Sequence, residues 1–167
     1  VVVPVNPMNK AGELGHYIED ASAHVAIASS DIAPELSRAA SMAEATISLK
    51  HLIVFDLADA LPEDALAQIA TWPAVWQQWL PIRHALPKSQ TVHVHAWQEV
   101  MARQLQPGAV SVKGEDLALL PYTSGTTGAA KGCCHTHATL MHNVLAAAPW
   151  LDMRAGDVTL IVVPMFH

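Results

Sequence analysis

The stretch that decides the fold is a glycine-rich loop that reads YTSGTTGAAKG from Tyr122 to Gly132. It follows directly on an apolar run, Leu117–Tyr122, and contains four Ser/Thr hydroxyls, three glycines and one lysine. Glycines let backbone N–H groups curl around an anion, hydroxyls add short donors, and the lysine sets a positive charge against phosphate oxygens. These residue types predict a cradle for a polyphosphate at the end of a strand, in preference to a flexible surface turn.

The loop differs from the phosphate-binding loop of P-loop NTPases. That loop needs a glycine directly before its lysine and Ser or Thr directly after it. Here Ala130 and Gly132 occupy those positions around Lys131. The sequence therefore argues against an NTPase of that class.

Strand and helix patterns alternate on both sides of the loop. Outside the apolar run before the loop, the β-branched and apolar runs predict strands at Val1–Val5, Val25–Ala28, His51–Phe55, Thr91–His95 and Val158–Val163. The helical spacing of apolar residues predicts helices at Lys10–Ala21, Pro34–Ala45, Trp97–Leu105 and Thr136–Ala148. Such alternation favours an α/β fold with a parallel sheet.

The stretch Leu57–Gln90 breaks this rhythm, because four prolines punctuate its helical segments, and we interpret it as a helical insertion. Within it, Trp72, Trp76 and Trp79 form a stripe at helical spacing. An acyl tunnel or a membrane contact could use such a stripe. Core packing, or burial against a further domain, is the interpretation that we favour.

Bulk properties exclude several classes of protein. With 167 residues, 51% hydrophobic and 14% charged, the chain is expected to form one compact domain or a piece of one, and not to be disordered. The net charge of -6 argues against nucleic-acid partners. No apolar run reaches the length of about 18 to 20 residues that a spanning helix needs, and no signal peptide is recognisable. A cytoplasmic protein is expected, with peripheral contact to a membrane left open.

Both ends of the sequence are apolar, with a valine run at Val1–Val3 and the sequence VVPMFH at Val162–His167. Natural termini are usually polar and frayed. We therefore expect this sequence to be an excised piece of a longer chain.

Two neighbouring cysteines, Cys133 and Cys134, precede His135 and His137. Thiolates and imidazoles are zinc ligands, but structural zinc sites use separated pairs of ligands. Adjacent cysteines also give no structural disulfide framework. We expect no metal here, and we expect His93 and His95 on their strand to be structural in the same way.

The loop, together with its surroundings, resembles the signature of the adenylate-forming superfamily, which includes acyl-CoA synthetases, luciferases and peptide-synthetase adenylation domains. His135–His137 before a helix, Gly156-Asp157 before a strand, and Pro164–His167 at the end stand in the order and spacing of that family, and the opening Val3–Pro7 is similar to it. Family members most often have proline where this sequence has Ala130, a change that affects loop stiffness and leaves the phosphate-binding groups in place.

The resemblance implies a partial parallel sheet with flanking helices, a fragment of the large N-terminal AMP-binding domain. Within it we expect a βαβ unit at 1–56, a helical insertion and strand at 57–114, and the phosphate loop, helix and strand at 115–167. The middle, Leu57–Gly114, carries hardly any of the resemblance.

The resemblance also implies a two-step ligation, in which a carboxylic acid reacts with ATP to give an acyl-adenylate and CoA then displaces AMP. The residues implied around the β- and γ-phosphates are Thr123, Ser124, Gly125, Thr126, Thr127, Gly128 and Lys131. His167 matches the histidine beside the acyl and adenylate site. The magnesium ligand, the ribose-binding aspartate and the late lysine of the family are expected outside these residues, so the piece alone should be inactive.

Two classes of function remain open at this point. One is a carboxylate-activating ligase, with a fatty acid favoured over an amino or aryl acid. The other is a nucleotide-binding or interaction module without chemistry of its own.

Overall fold

The computed structural model describes residues 1–42, 48–123 and 128–162. The chain folds as two compact units. One unit is continuous, Met8–Gln106, and the other joins Val1–Pro7 to Pro107–His167.

The continuous unit contains a three-stranded sheet of β1 (Val25–Ser29), β2 (His51–Phe55) and β3 (His93–Ala96), in the order β1-β2-β3. Both pairs of strands are parallel, with Ala28 opposite Val54 and Val54 opposite Ala96. The prediction of a parallel α/β sheet is therefore confirmed.

Helices precede, connect and follow these strands. Their bounds are α1 (Ala11–Asp20), α2 (Ala33–Met42), α3 (Glu63–Ala67), α4 (Ala74–Trp79) and α5 (Trp97–Ala102), with 3-10 turns at Leu57–Ala60 and Ile69–Thr71. α1 begins where the Lys10 N–H donates to the Glu13 carboxylate at 3.0 Å. It ends at Asp20, and two residues later Ser22 takes a left-handed conformation with φ of 49°, so that the Ala23 N–H donates to the Ile18 carbonyl at 2.9 Å.

The hydrophobic core lies on one face of the sheet. α2 contacts β1 and β2, and α1 packs on α2. Side chains alternate along β2, so Leu52 and Val54 are buried on this face. The opposite face is open within this unit, since Val25 and Ile27 of β1 are 52% and 58% exposed.

The second unit holds two short strands and a long helix, β4 (Leu117–Leu119), β5 (His135–Thr136) and α6 (His137–Trp150). β4 and β5 are antiparallel, and Val2 adds a parallel bridge to Leu119. The Val2 N–H donates to Ala118, and its carbonyl accepts from Leu120, each at 2.9 Å. The glycine-rich loop thus follows a strand, as predicted, but it leads into an antiparallel neighbour.

Two strand predictions are wrong for the described residues. The run 158–162 has no regular structure, and Val158 is 97% exposed. A strand needs a neighbour that pairs with its backbone groups, and none of the described residues pairs with this run. The opening run 1–5 was expected to end a buried strand, yet only Val2 pairs and both Val1 and Val2 are exposed.

The tryptophan stripe does not form core within this unit. Trp76 is 49% exposed, Trp79 is 42% exposed and Trp72 is half-buried. The physical reason is that α4 has only six residues and packs closely on no other described helix or strand.

A set of polar side chains lies at the carboxyl edge of the parallel sheet, where β1, β2 and β3 all end. We call it the carboxyl-edge cluster, and its members are Ser30, Asp56, Asp59, Arg83, His84 and Gln98. Asp56 directly follows β2 and accepts from the Ser30 hydroxyl at 2.5 Å and from the His84 N–H at 3.3 Å. Arg83 Nη1 lies 3.5 Å from its other oxygen.

These contacts set the ionisation of Asp56. Burial raises the pKa of the carboxyl, but the hydrogen bonds from Ser30, His84 and Arg83 together outweigh burial and hold its pKa below the ordinary value. Asp56 therefore stays ionised and fastens the segment around His84 to the end of β2.

Asp56→Asn tests this role. Because the folded pKa lies below the unfolded one, the stabilisation is complete above the unfolded value of about 3.9 and is lost as the pH falls through the folded value. At neutral pH we expect the variant to lose roughly 1 to 3 kcal/mol of unfolding free energy, the cost of unmatched hydrogen-bond partners. On acidification from about pH 5 towards pH 2, the wild type should lose more stability than the variant.

The measurement is urea unfolding, followed by circular dichroism across this pH range. Asp64→Asn is the control, because Asp64 is exposed in α3. Equal acid sensitivity of the wild type and Asp56→Asn would contradict the assignment.

Candidate functional site

The glycine-rich loop is closed at its base by reciprocal hydrogen bonds. The Thr123 N–H donates to the Lys131 carbonyl at 3.0 Å, and the Lys131 N–H donates to Thr123 Oγ1 at 3.2 Å. Tyr122 and Gly132 form an antiparallel bridge directly below. The two ends of the loop are therefore held side by side by antiparallel pairing at its base.

The structure describes three of the residues predicted to bind phosphate. It brings Thr123 and Lys131 together, and it places Gly128 in open space, with no atom within 4 Å of an added Cβ. All three are exposed. The remaining predicted residues lie outside the described residues, and they are Ser124, Gly125, Thr126, Thr127 and His167.

Gly132 lets the loop base pack closely on Leu120, the residue that follows β4. A Cβ at this position would lie 3.0 Å from both Cγ and Cδ1 of Leu120, tighter than ordinary van der Waals contact. Glycine is thus favoured here by the close approach of Leu120, since its backbone conformation is not in the left-handed region. The paired strands in turn hold Thr123 opposite Lys131.

The chain leaves the loop through β5 directly into α6. Thr136 caps the helix, because its Oγ1 accepts from the Thr139 N–H at 3.3 Å. The His137 N–H donates to the Asp116 carbonyl at 3.1 Å, and the Ala138 N–H donates to the Gly114 carbonyl at 2.8 Å. The first turn of α6 is thereby tied to the turn that precedes β4.

The arrangement can bind an anion with few side chains. An exposed lysine and an exposed threonine flank a glycine-rich turn, and such turns offer backbone N–H groups to phosphate oxygens. A lysine ammonium acts there as a point charge.

The thiols and imidazoles that follow the loop lie in three successive parts of the chain: before β5, in β5 and at the start of α6. Cys133 and Cys134 are exposed free thiols, His135 lies in β5 and His137 opens α6. Within the part of the chain that the structure describes, no three His, Cys, Asp or Glu residues are arranged to hold a metal ion. The absence of a metal here stays a prediction. Among the same residues, no helix is long and apolar enough to cross a membrane.

Arg83 and His84 of the carboxyl-edge cluster were not found by sequence reasoning. The sequence marks Asp56 only as the residue that closes a strand, whereas Arg83 and His84 lie in the proline-rich insertion without any periodic pattern. An acidic residue just after a parallel strand was the one available signal, because such positions meet at one edge of the sheet.

Comparison with known proteins covers the whole chain. A family model described as AMP-binding enzyme matches residues 1–167. Long-chain-fatty-acid–CoA ligases of Salmonella typhimurium and Bacillus subtilis are 29% and 28% identical over 100% of this chain. The chain spans 29% of the length of each of these relatives. A 4-coumarate–CoA ligase of Pinus taeda is 38% identical over 48% of this chain and 16% of its own length.

Among solved structures, the adenylation domain of a carboxylate reductase from Mycobacterium chelonae matches 98% of this chain and 24% of its own, with a TM-score of 0.55 and 22% identity. This likeness concerns the fold. It agrees with the mixed α/β architecture described above.

Gly132→Ala tests the packing at the loop base. The added methyl group has to displace the half-buried Leu120 side chain, at a cost of about 1 kcal/mol in unfolding free energy. Amide exchange at Thr123 should become faster, because its bond to the Lys131 carbonyl is strained. Gly108→Ala is the control, since an added Cβ there meets no atom within 4 Å. The same exchange rate at Thr123 in wild type and Gly132→Ala would refute the close-packing argument.

Proposed function

Because this chain belongs to the AMP-binding enzyme family, we propose that it supplies the pyrophosphate-binding part of an enzyme that activates a carboxylic acid with ATP. The carrying observation is the glycine-rich loop, closed by Thr123 and Lys131. Its donors suit the part of ATP that departs in such a reaction.

In the proposed first step, a carboxylate oxygen of the acid attacks the α-phosphorus of ATP. The new bond joins that oxygen to phosphorus, the bond from phosphorus to the bridging α,β oxygen breaks, and pyrophosphate leaves with the electron pair. Negative charge develops on the leaving group, so fixed donors and a cation around it lower the barrier. No protein nucleophile is needed, because positioning and charge neutralisation suffice.

Each residue predicted around the phosphates has a proposed role in that step. Lys131 and Thr123 contact the leaving phosphate oxygens, and Gly128 leaves room for the phosphates. By the same proposal the other phosphate contacts come from Ser124, Gly125, Thr126 and Thr127, and His167 lies beside the acyl-adenylate. Regions 1–56, 57–114 and 115–167 then serve as βαβ unit, insertion, and phosphate loop with its following helix.

Magnesium would add charge neutralisation to this step. Within the described part of the chain, no three His, Cys, Asp or Glu residues are arranged to hold a metal ion. By the same proposal, the magnesium ligand belongs to a part of the parent enzyme outside these residues.

In the proposed second step, the thiol of CoA attacks the acyl carbonyl carbon and AMP leaves. The names of the relatives support CoA as the acceptor, because they are CoA ligases. We place the reaction in the cytoplasm, where unpaired thiols such as Cys133 and Cys134 stay reduced.

A fatty acid is the proposed substrate, supported by the ligases matched over all of this chain. The pine enzyme favours a second candidate, an aryl acid, because its identity is higher although it covers less of this chain. Pyrophosphate exchange in the natural gene product that carries these residues distinguishes the two. We expect long-chain fatty acids to drive the exchange at least about tenfold faster than 4-coumarate or amino acids, a difference of about 1.4 kcal/mol. The reverse order would replace the fatty acid with the aryl acid.

Lys131→Ala in the same protein tests the phosphate cradle. A charge-assisted hydrogen bond contributes roughly 1.5 to 3 kcal/mol, so ATP–pyrophosphate exchange should slow about 10- to 100-fold. Conversion of supplied acyl-adenylate to acyl-CoA should change much less, because pyrophosphate has already left.

Lys113→Ala is the control, because Lys113 is an exposed lysine in the turn before β4. It should leave both reactions within about twofold of wild type, as surface substitutions usually do. Equal loss of both reactions in Lys131→Ala would mean that Lys131 supports the fold or the CoA step.

A further inference from the structure

A cavity of about 310 Å³ opens at the carboxyl edge of the three-stranded sheet, next to the carboxyl-edge cluster. Ligand pockets in proteins occupy about 300 to 1,000 Å³, so this cavity is large enough for a small molecule. In open parallel sheets, ligands bind outside the carboxyl ends of the strands. Here Ser30 follows β1, Asp56 follows β2 and Trp97 follows β3.

The two carboxylates of the cluster are already occupied. Besides its bonds to Ser30 and His84, Asp56 has its second oxygen on Arg83. Asp59 accepts from Arg83 Nη1, from Gln98 Nε2 at 2.8 Å and from the Asp56 N–H at 2.8 Å. Their side chains are only 14% and 7% exposed. The carboxylates therefore do not suit a cationic ligand, and they act as supports for the basic side chains.

The exposed polar groups of the cavity are donors. Arg83 and His84 have side chains that are 49% and 45% exposed. Both carboxylate contacts of Arg83 use Nη1. Within the described part of the chain, Nη2 and Nε form no hydrogen bond or ion pair. His84 bonds through its backbone N–H and Nδ1, and its Nε2 contacts no partner among the described residues, so Nε2 can bind a ligand.

The guanidinium charge is secure. The hydrogen bond to Asp59 raises the pKa of Arg83, and the contacts to Asp56 add to the effect. Asp56 and Asp59 bind Nη1 of the guanidinium, so Nη2 and Nε can donate to an acid group on the opposite side.

The remaining wall of the cavity is apolar. Leu86 is 41% exposed, and Trp97 packs edge-on against Phe55 with ring centroids 6.4 Å apart. Val54 and Ala96 complete this wall at the strand ends. An apolar surface beside two donors matches a molecule that has an apolar body and one acid group.

We propose that this cavity binds a small organic anion, whose carboxylate or phosphate group contacts Arg83 and His84 and whose apolar body lies against Leu86 and Trp97. The negative charge of the ligand joins two carboxylates and one guanidinium. The acid group is met by the guanidinium and by His84 Nε2, because both carboxylates already accept hydrogen bonds within the cluster. All of the groups belong to the unit Met8–Gln106, whereas the phosphate loop belongs to the other unit, so the proposal is independent of the ligase function.

The test uses the ¹⁵N-labelled 167-residue chain, with the Trp97 indole signal identified by Trp97→Phe. Four probes are titrated: octanoate, octyl phosphate, octanol and inorganic phosphate. Saturable shifts of the Trp97 signal are expected with one or both of the first two, and which of them binds more tightly identifies the acid group. Octanol lacks the acid and inorganic phosphate lacks the apolar body, so each should bind at least about tenfold more weakly.

Arg83→Gln should raise the dissociation constant at least about tenfold, and His84→Gln should raise it by a smaller factor. Arg83→Lys keeps the charge with fewer donors, so it should lie between the wild type and Arg83→Gln, and it serves if Arg83→Gln does not fold. Arg38→Gln is the control, because that exposed arginine pairs with Glu35 on α2 and should leave binding within about twofold.

Octanoate could also bind at an acyl site of the proposed ligase. That binding would not depend on Arg83, so equal affinity in the wild type and in both Arg83 variants overturns the cavity proposal and leaves the ligase proposal intact. Absence of any saturable Trp97 shift, or equal binding of octanol, also overturns it. Loss of exchange in Lys131→Ala bears on the phosphate loop alone.

Discussion

The structure of the continuous unit depends on the burial of one face of β2. Leu52 is fully buried and Val54 is nearly so, both on the face that α2 covers. Because β2 lies between β1 and β3 in the parallel register, this burial also fixes where all three strands end. Removal of apolar surface from water is the main favourable term in folding, so the position of the carboxyl edge follows from the hydrophobic face.

Polar groups at that edge are a consequence of the same register. Parallel strands end together, so Ser30 and Asp56 meet although 26 positions separate them in the sequence. The ionised Asp56 then draws in the segment that carries Arg83 and His84. The same arginine can serve a structural network and a ligand site. The carboxylates of Asp56 and Asp59 bind one nitrogen of Arg83, and its other N–H donors can bind a ligand.

The glycine-rich loop follows a different physical rule. Its base is set by one backbone hydrogen bond between Thr123 and Lys131, by a second bond from the Lys131 N–H to the Thr123 hydroxyl, and by a close approach of Gly132 to Leu120. An anion site built from backbone N–H groups needs small residues at a few positions, and it depends little on the other side chains. The choice of acid depends on the shape of a pocket lined by side chains. For that reason the family follows from the match over the chain, whereas the acid remains a proposal.

Much of the fold was predictable from the sequence, because local patterns determine local structure. The apolar run His51–Phe55 is a strand with the predicted bounds, and the helix predicted at Lys10–Ala21 extends over Ala11–Asp20. The local pattern did not reveal whether an apolar run has a neighbouring strand to pair with. The run 158–162 is as apolar as β2, yet no described strand pairs with it. The tryptophan stripe likewise has the spacing of a buried helix, yet Trp76 and Trp79 are exposed, and no described helix or strand packs closely on α4.

For the candidate sites, the sequence by itself determined the chemistry of the loop, since the hydroxyls, glycines and lysine are contiguous from Thr123 to Gly132. Only the tertiary structure decided that the loop turns between antiparallel strands and that Thr123 closes on Lys131. It also decided the meeting of Asp56 with Arg83 and His84. The physical reason is that a contiguous motif carries its donors with it, whereas groups far apart in the chain become neighbours only when a shared sheet edge brings them together.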